Sequence, residues 1–499
     1  MPGRPKPRLV GALIVTCVAL AVVRPSAQNP VFTTVLPAEE FAAHRAALIA
    51  KIGDGIAVLQ GAAETGSYLP FRQSNHFFYL TGVAVPRALV LLDGRTRSTT
   101  LFLPPRNERM ERSEGPVLGP GAEAARLTGI AEVRALDTFG DAFKTAVGTG
   151  RVVYTPSRGE SLAAVTPDSA MRAAVAAAAD PWDGRPSREA NFAAKLKASA
   201  PGSDIRSLDP ILDALRVIKS PREVALVREA THIAGLGLME AMRAARPGMR
   251  EYEVEAVADW VFKAHGSQGI AYFGLVAAGK NAMYPHYHGG SAALKADDLV
   301  LFDYAPDYRY YASDVTRMFP ASGRFSPVQR ELYGVYLKMY TALMEAIRPH
   351  VAPRDILREA TTKMDRIIES WSFSIPTHRE AAERFVAQLR ATDRNTLGHF
   401  VGMEVHDVSM PIDTLEPGMI FTIEPALTVP EENVYVRLED VLLITPTGYE
   451  NLSAFAPIDI DGIERLMAEP SRFDSSQRVQ PTQSSSKTLP PATSDAARY

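Results

Sequence analysis

The chain has 499 residues, more than one ordinary domain holds, so two domains are expected. Its 46% hydrophobic and 22% charged residues are those of a soluble globular protein. A formal charge of −3 provides no basic face, which argues against a nucleic-acid partner.

Residues 1–27 read as a secretory signal peptide. Arg4, Lys6 and Arg8 form a basic start, Leu9 to Val23 an apolar run of 15, and "RPSA" ends in Ala27, small enough for a cleavage point. The run falls short of the roughly 20 residues that span a bilayer. An uncleaved anchor is the alternative. The expectation is an exported protein, periplasmic or secreted, with no membrane span in the mature chain. Cleavage removes Arg4, Lys6, Arg8 and Arg24, so the formal −3 becomes −7. It also removes Cys17, the only cysteine, and with it any disulfide or thiol nucleophile.

Residues 36–205 alternate short strand-like runs (Ile56–Leu59, Ala88–Leu92, Thr99–Leu103) with Ala-rich helical stretches (Ala122–Leu127, Ala170–Ala179). This is the pattern of a smaller α/β domain. The polar link "KASAPGSD" leads to a second domain over 206–468, and residues 469–499, rich in Ser, Pro, Thr and Gln, have little to bury and are expected to be disordered.

The second domain opens with clear helix signals. In "SPREVALVREATHIAGLGLMEAMRAARPG", Ser220 caps, Pro221 suits the first helical position and Glu223 closes a capping box. Val224, Val227, Ala234, Leu238 and Met242 follow at helical spacing until Pro247-Gly248. Ser326, Pro327 and Gln329 repeat the device. Strand pairs lie between and after these helices. The expected fold is α+β, an antiparallel sheet covered on one face by helices.

Two hairpins carry acids where burial is expected. In "LFDYAPDYRYYASDVTRMF", Asp303 and Asp314 are equidistant from a turn centred near Tyr308, so a regular hairpin sets them roughly opposite, with Cβ atoms about 4.5–5.5 Å apart. Two bare carboxylates so placed repel, and one must hold a proton unless a cation lies between them. In "GMIFTIEPALTVPEENVYVRLEDVLLIT", Glu424 and Glu439 are nearly symmetric about "PEEN". With His399 from "LGHFVGMEVHDV", the candidate ligands are four carboxylates and one imidazole. Such a set suits hard or borderline divalent ions, manganese first, with zinc or cobalt as alternatives. Four negative charges balance two dications. Singly, each acid reads as a solvated strand-end residue and the histidine as a packing residue; the matched pairs are what favour a metal site.

The stretches "LRVIKSPREVALVREA", "RPGMREYEVEA", "NAMYPHYH", "LVLFDYAPDYRYYASDVTRMFPASGRFSPVQRELY", "LGHFVGMEVHDV", "EPGMIFTIEPAL" and "VRLEDVLLIT" together resemble the catalytic domain of the pita-bread metallopeptidases, and more closely their aminopeptidase P and prolidase branch. Upstream, "FRQSNHFFYLTG" looks like the strand of the aminopeptidase P N-terminal domain. The resemblance implies that Asp303 chelates one metal, that Asp314 and Glu439 bridge two, and that His399 and Glu424 hold the second. It also implies that His286 and His406 contact the substrate and the developing tetrahedral intermediate, and that Arg437 supports the acidic ligands. In the family the metals hold a hydroxide as nucleophile, and the counterpart of Glu424 shuttles its proton. The implied activity is release of the N-terminal residue from peptides with proline second, by a homo-oligomer.

Three departures stand out. Asn395 occupies a position where relatives often carry histidine. Tyr304-Ala305 replaces an Ala-Gly pair and is expected to place bulk near Asp303. "ERSEGP" stands where relatives often have a tryptophan that reaches a neighbouring subunit's site. An extra histidine, His288, is expected at the surface. Three alternatives remain open: a prolidase limited to Xaa-Pro dipeptides, a creatinase-like hydrolase, whose branch lacks this ligand set, and a non-enzymatic pita-bread binding protein.

Overall fold

The computed structural model describes residues 36–473 except 67, 160–165 and 393–394. The signal peptide expected over 1–27, and all of the tail expected over 469–499 that follows residue 473, lie outside the described residues; within 469–473, Ser471 Oγ donates to Glu240 Oε1 at 2.9 Å. Among the described residues no helix is long and apolar enough to cross a membrane.

The N-terminal half is built on a six-stranded sheet. Its strands are β1 (Ile56–Gln60), β2 (Leu89–Asp93), β3 (Ser98–Leu103), β4 (Glu132–Ala135), β5 (Val153–Thr155) and β6 (Ile205–Ser207), in the order β4-β3-β2-β1-β5-β6. The β1–β2 and β2–β3 pairs are antiparallel, the others parallel. The apolar runs read from the sequence fall on these strands. One expectation fails here: within "FRQSNHFFYLTG", Asn75–Thr81 is a helix, not a strand. Short aromatic-rich runs carry no decisive period. Phe77, Phe78, Tyr79 and Leu80 are all buried, and Gly82, at φ 66°, stops the helix by donating to Phe78 O.

The C-terminal half is antiparallel throughout. It contains β7 (Gly269–Ile270), β8 (Leu275–Ala278), β9 (Leu299–Asp303), β10 (Pro306–Asp307), β11 (Thr316–Pro320), β12 (Ile420–Ile423), β13 (Ala426–Val429), β14 (Val434–Arg437), β15 (Asp440–Thr445) and β16 (Gly448–Asn451). They form the sheets β11-β9-β8 and β12-β15-β16 and the pairs β13-β14 and β10-β7. A bridge between Thr316 and Glu439 joins the two hairpins.

The helix signals are realised locally. Helix Pro221–Ala244 begins with the Ser220/Glu223 capping box, and Pro327–Met344 with that of Ser326 and Gln329. Tyr333, Tyr336 and Tyr340, at helical spacing on the second, are fully buried against the strands. Their hydroxyls donate to Ile458 O (2.8 Å), Pro425 O (2.7 Å) and Asp440 Oδ2 (2.7 Å). This face anchors the second acidic hairpin at the breaks where its acids sit.

The first acidic hairpin differs from expectation by one register step. Asp303 pairs with Thr316, not Asp314, because the two-residue turn closes at Arg309–Tyr310. Both turn residues have positive φ, 52° and 71°, as tight hairpins with the right-handed strand twist demand. Asp314 is therefore the diagonal neighbour of Asp303, still on the same face. In the second hairpin the pairings Ile423↔Asp440 and Ala426↔Arg437 share one register, and carried through the break it sets Glu424 opposite Glu439.

Candidate metal centre

Asp303 ends β9 and Asp314 lies two residues before β11; both are buried. The Tyr272 hydroxyl lies between them, 2.6 Å from Asp303 Oδ1 and 2.7 Å from Asp314 Oδ1. Glu424 and Glu439 occupy the breaks between β12 and β13 and between β14 and β15. Glu439 Oε2 accepts from Thr316 Oγ1 at 2.7 Å, while its buried Oε1 has no hydrogen-bond partner among the described residues. His399 Nε2 faces three acids: Glu424 Oε1 at 3.3 Å, Asp314 Oδ2 at 3.4 Å and Glu439 Oε1 at 3.9 Å. The His399 segment lies against β12, with Thr422 N donating to His399 O at 2.9 Å. A Cβ on Gly398 would meet Thr422 O at 2.1 Å, so only glycine permits this approach.

Ligand atoms of Asp303, Asp314 and Glu439 lie within 4.8 Å of one another, as do those of His399, Glu424 and Glu439. Glu439 belongs to both groups. Arg437 Nη2 contacts Asp303 Oδ2, and Nη1 lies 3.4 Å from Glu424 Oε2. One arginine and one imidazole thus face four carboxylates.

The protonation pattern shows the strain of this excess. Burial pushes Asp303 up to about 7, against the pull of Arg437, and pushes Glu439 well above the carboxylate range, with Asp314 and Glu424 adding to it. Burial also acts on Asp314 and Glu424, but hydrogen bonds and charge from His399 leave both below the ordinary range. The same bonds outweigh burial on His399 and hold it well above the imidazole range. Two ligand groups that share Glu439, one of whose buried oxygens has no donor among the described residues, fit a pair of divalent cations.

His406 stacks on His399 with ring centroids 3.7 Å apart. His406 is exposed at the cleft, yet the atoms crowded around its ring desolvate it, and with the charge of His399 and the nearness of His286 they hold its imidazole down to about 4. His286 is exposed on the segment after the 3-10 turn Gly279–Met283. That segment is pinned by the buried Glu251 carboxylate, which accepts from Ala278 N (2.8 Å), Asn281 Nδ2 (2.9 Å), Tyr287 Oη (3.0 Å) and Ala292 N (3.1 Å). A cleft of about 450 Å³ opens over His399, His406 and Glu424, walled by Leu357, Phe385 and Leu397.

The departures are also located. Tyr304 does not crowd the site: its side chain is buried against Phe262 and its hydroxyl donates to Asp259 Oδ1 at 2.5 Å. Asn395 donates to Ile412 O at 2.5 Å. "ERSEGP" ends the helix Glu108–Glu114, and His288 is exposed with its ring 5.2 Å from that of Phe273. Sequence reasoning missed Tyr272, Thr316 and Glu251. Nothing in "GIAYFG" marks Tyr272, whose partners come from elsewhere in the chain. Glu251 lay in a quoted motif but reads as an ordinary helix-start acid.

The description "Metallopeptidase family M24" matches residues 225–446, and "Aminopeptidase P, N-terminal domain" matches 41–154. The chain is 31% identical to the Xaa-Pro aminopeptidase of Escherichia coli K12 over 451 residues, which are 86% of this chain and 97% of that protein. Among solved structures, Pseudomonas aeruginosa aminopeptidase PepP superposes with a TM-score of 0.69 at 29% identity, covering 87% of this chain and 98% of that one. Escherichia coli aminopeptidase P with the inhibitor Pro-Leu gives 0.69 at 27% identity, covering 86% and 98%.

Proposed function

The chain belongs to metallopeptidase family M24, in its aminopeptidase P branch, and on that premise we propose that it is a dinuclear Xaa-Pro aminopeptidase, releasing the N-terminal residue from peptides with proline second. The observation that carries the reading is the pair of three-residue ligand groups sharing Glu439, whose buried Oε1 has no donor of its own. We assign Asp303, Asp314, His399, Glu424 and Glu439 as the ligands of two divalent ions. Manganese is favoured by the four carboxylates and single imidazole, with zinc or cobalt as alternatives. Ions held there supply Lewis-acid activation of water and of the scissile carbonyl.

The protein's own groups do the rest. Glu424, the most open of the four carboxylates and kept ionised by His399 and Arg437, accepts the proton of the attacking water and returns it to the leaving proline nitrogen. His406, neutral above about 4, presents an N–H for hydrogen bonding at the cleft, where charge develops on the carbonyl oxygen. His286 offers a second such group. Arg437 fixes the rotamers of Asp303 and Glu424. The N-terminal aminopeptidase P domain favours this reading over a dipeptidase. Export, from the pattern of residues 1–27, and assembly as a homo-oligomer are part of the proposal.

The test uses metal-stripped protein resupplied with manganese, zinc or cobalt singly. Substrates are Xaa-Pro dipeptides, longer Xaa-Pro peptides and their N-acetylated forms. We expect activity to return with about two ions per chain, with longer peptides cut and acetylated ones untouched. Full activity without bound metal sinks the centre; turnover of dipeptides alone makes the protein a prolidase; cleavage of acetylated peptides refutes the exopeptidase reading.

A further inference from the structure

Among the described residues no hydrogen bond holds the His406 ring, so apart from its stack on His399 its position depends on its loop. The residues around it are firmly tied. Glu404 and Asp407 turn away from the cleft and are buried, and both contact one guanidinium. Arg216 Nη2 touches Glu404 Oε2 and lies 2.6 Å from Asp407 Oδ1. Lys219 Nζ donates to Asp407 Oδ2 at 2.9 Å. Two cations thus meet two carboxylates, all at most 7% exposed.

The same guanidinium reaches the N-terminal half. Arg216 Nη1 donates to His76 Nδ1 at 3.1 Å, and the neighbouring Asn75 Nδ2 donates to Met403 O at 3.1 Å. The loop is pressed close: a Cβ on Gly402 would lie 2.1 Å from Asp407 Oδ2 and 3.1 Å from Lys219 Cε. Ala312 N, two residues from Asp314, donates to Gly402 O at 2.7 Å. Without Arg216, Glu404 and Asp407 lose the guanidinium that clamps them together, and the pair must take up a proton or shift toward water, either of which releases the loop from its fixed position. His406 moves with it.

We propose that Arg216 is a positioning residue for peptide hydrolysis: by binding Glu404, Asp407 and His76 together, it fixes the loop that aims His406 into the cleft and couples that aim to the N-terminal domain. This rests on the role proposed for His406. Displacement of a hydrogen-bonding group by about 1 Å costs on the order of 100-fold in rate.

The experiment compares Arg216→Met, Arg216→Lys and Glu404→Gln with the wild type, together with Arg216→Met combined with His406→Ala. We expect kcat to fall about 100-fold in Arg216→Met with KM within about threefold, and less in Arg216→Lys, which keeps the charge but loses the fork. Metal content should stay at two ions per chain. In the His406→Ala background the same substitution should cost less than about twofold, since the group it aims is gone. Glu404→Gln keeps shape and loses one charge, and should show the same pattern at about fivefold, so the test survives if Arg216→Met fails to fold. Labelling of His406 by diethyl pyrocarbonate, read by mass spectrometry, should accelerate in every Arg216 and Glu404 variant. Loss of kcat that multiplies fully with His406→Ala, or unchanged His406 labelling, overturns the proposal. If the wild type cuts no Xaa-Pro peptide, the proposed function fails, while labelling still judges Arg216.

Discussion

Glu439 and Asp440 are adjacent acids, 1% and 0% exposed, where the break after β14 meets the start of β15, and they face different partners. Asp440 has a full set of donors: Arg317 Nη2 and Ser453 Oγ on Oδ1, Tyr340 Oη on Oδ2. Burial pushes its carboxyl up, but those donors prevail and hold it below the usual range. Glu439 has one donor, three acidic neighbours and an oxygen left bare, and is pushed well above that range. Burial alone therefore separates neither structural from ligating acids. The balance of charge and donors around each oxygen does, and a deficit marks where a cation belongs.

The sharpest way to break this contrast is to alter the ligand side. Asp314→Asn should lower kcat more than about 1,000-fold, since metal activation is the main source of rate, with circular dichroism unchanged. On the structural side, Asp440→Asn leaves the fully buried Arg317 without its counter-charge. Denaturant unfolding should show a loss of about 3–5 kcal/mol, with and without metal. Glu439→Gln should raise the melting temperature of metal-free protein, because it removes a charge the fold resists, and lower that of the metal-loaded form.

The same contrast sets a pH dependence. Asp303 and Glu439 have folded pKa values above their unfolded ones, so metal-free protein should lose stability as pH rises from about 4.5 through about 7. Asp440 has the opposite sign: its contribution is present above its unfolded pKa and is lost as pH falls through the depressed folded value. Thermal melts at several pH values should show the neutral-pH loss vanish when metal is added. A smaller effect is expected at Tyr272→Phe, where removing the hydroxyl shared by Asp303 and Asp314 should weaken metal binding about 10-fold by competition titration. The smallest belongs to Tyr304→Phe, which loses one hydrogen bond to Asp259, about 1 kcal/mol, and should leave kcat unchanged.

Local devices were legible in the sequence because their partners are three residues away, as in the Ser220/Glu223 and Ser326/Gln329 caps. The register of Glu424 and Glu439 was legible because their hairpin is symmetric about its turn. The Asp303 hairpin slipped one step because its turn is built on Arg309-Tyr310, which carry no glycine or asparagine to announce positive φ. The helix at Asn75–Thr81 was hidden because it is too short and too thoroughly buried to show a period. Tyr272 and Arg216 act on residues far along the chain, and no local pattern encodes such partners.

The bridge between Thr316 and Glu439 closes the centre from segments that the chain delivers in separate parts, with the helices Pro327–Met344, Pro353–Ser370 and Pro376–Ala391 made in between. No nascent chain that stops short of Glu439 holds either three-residue ligand group. The set of five ligands is consequently complete only when both hairpins have docked, and the binding energy of two ions becomes available only then.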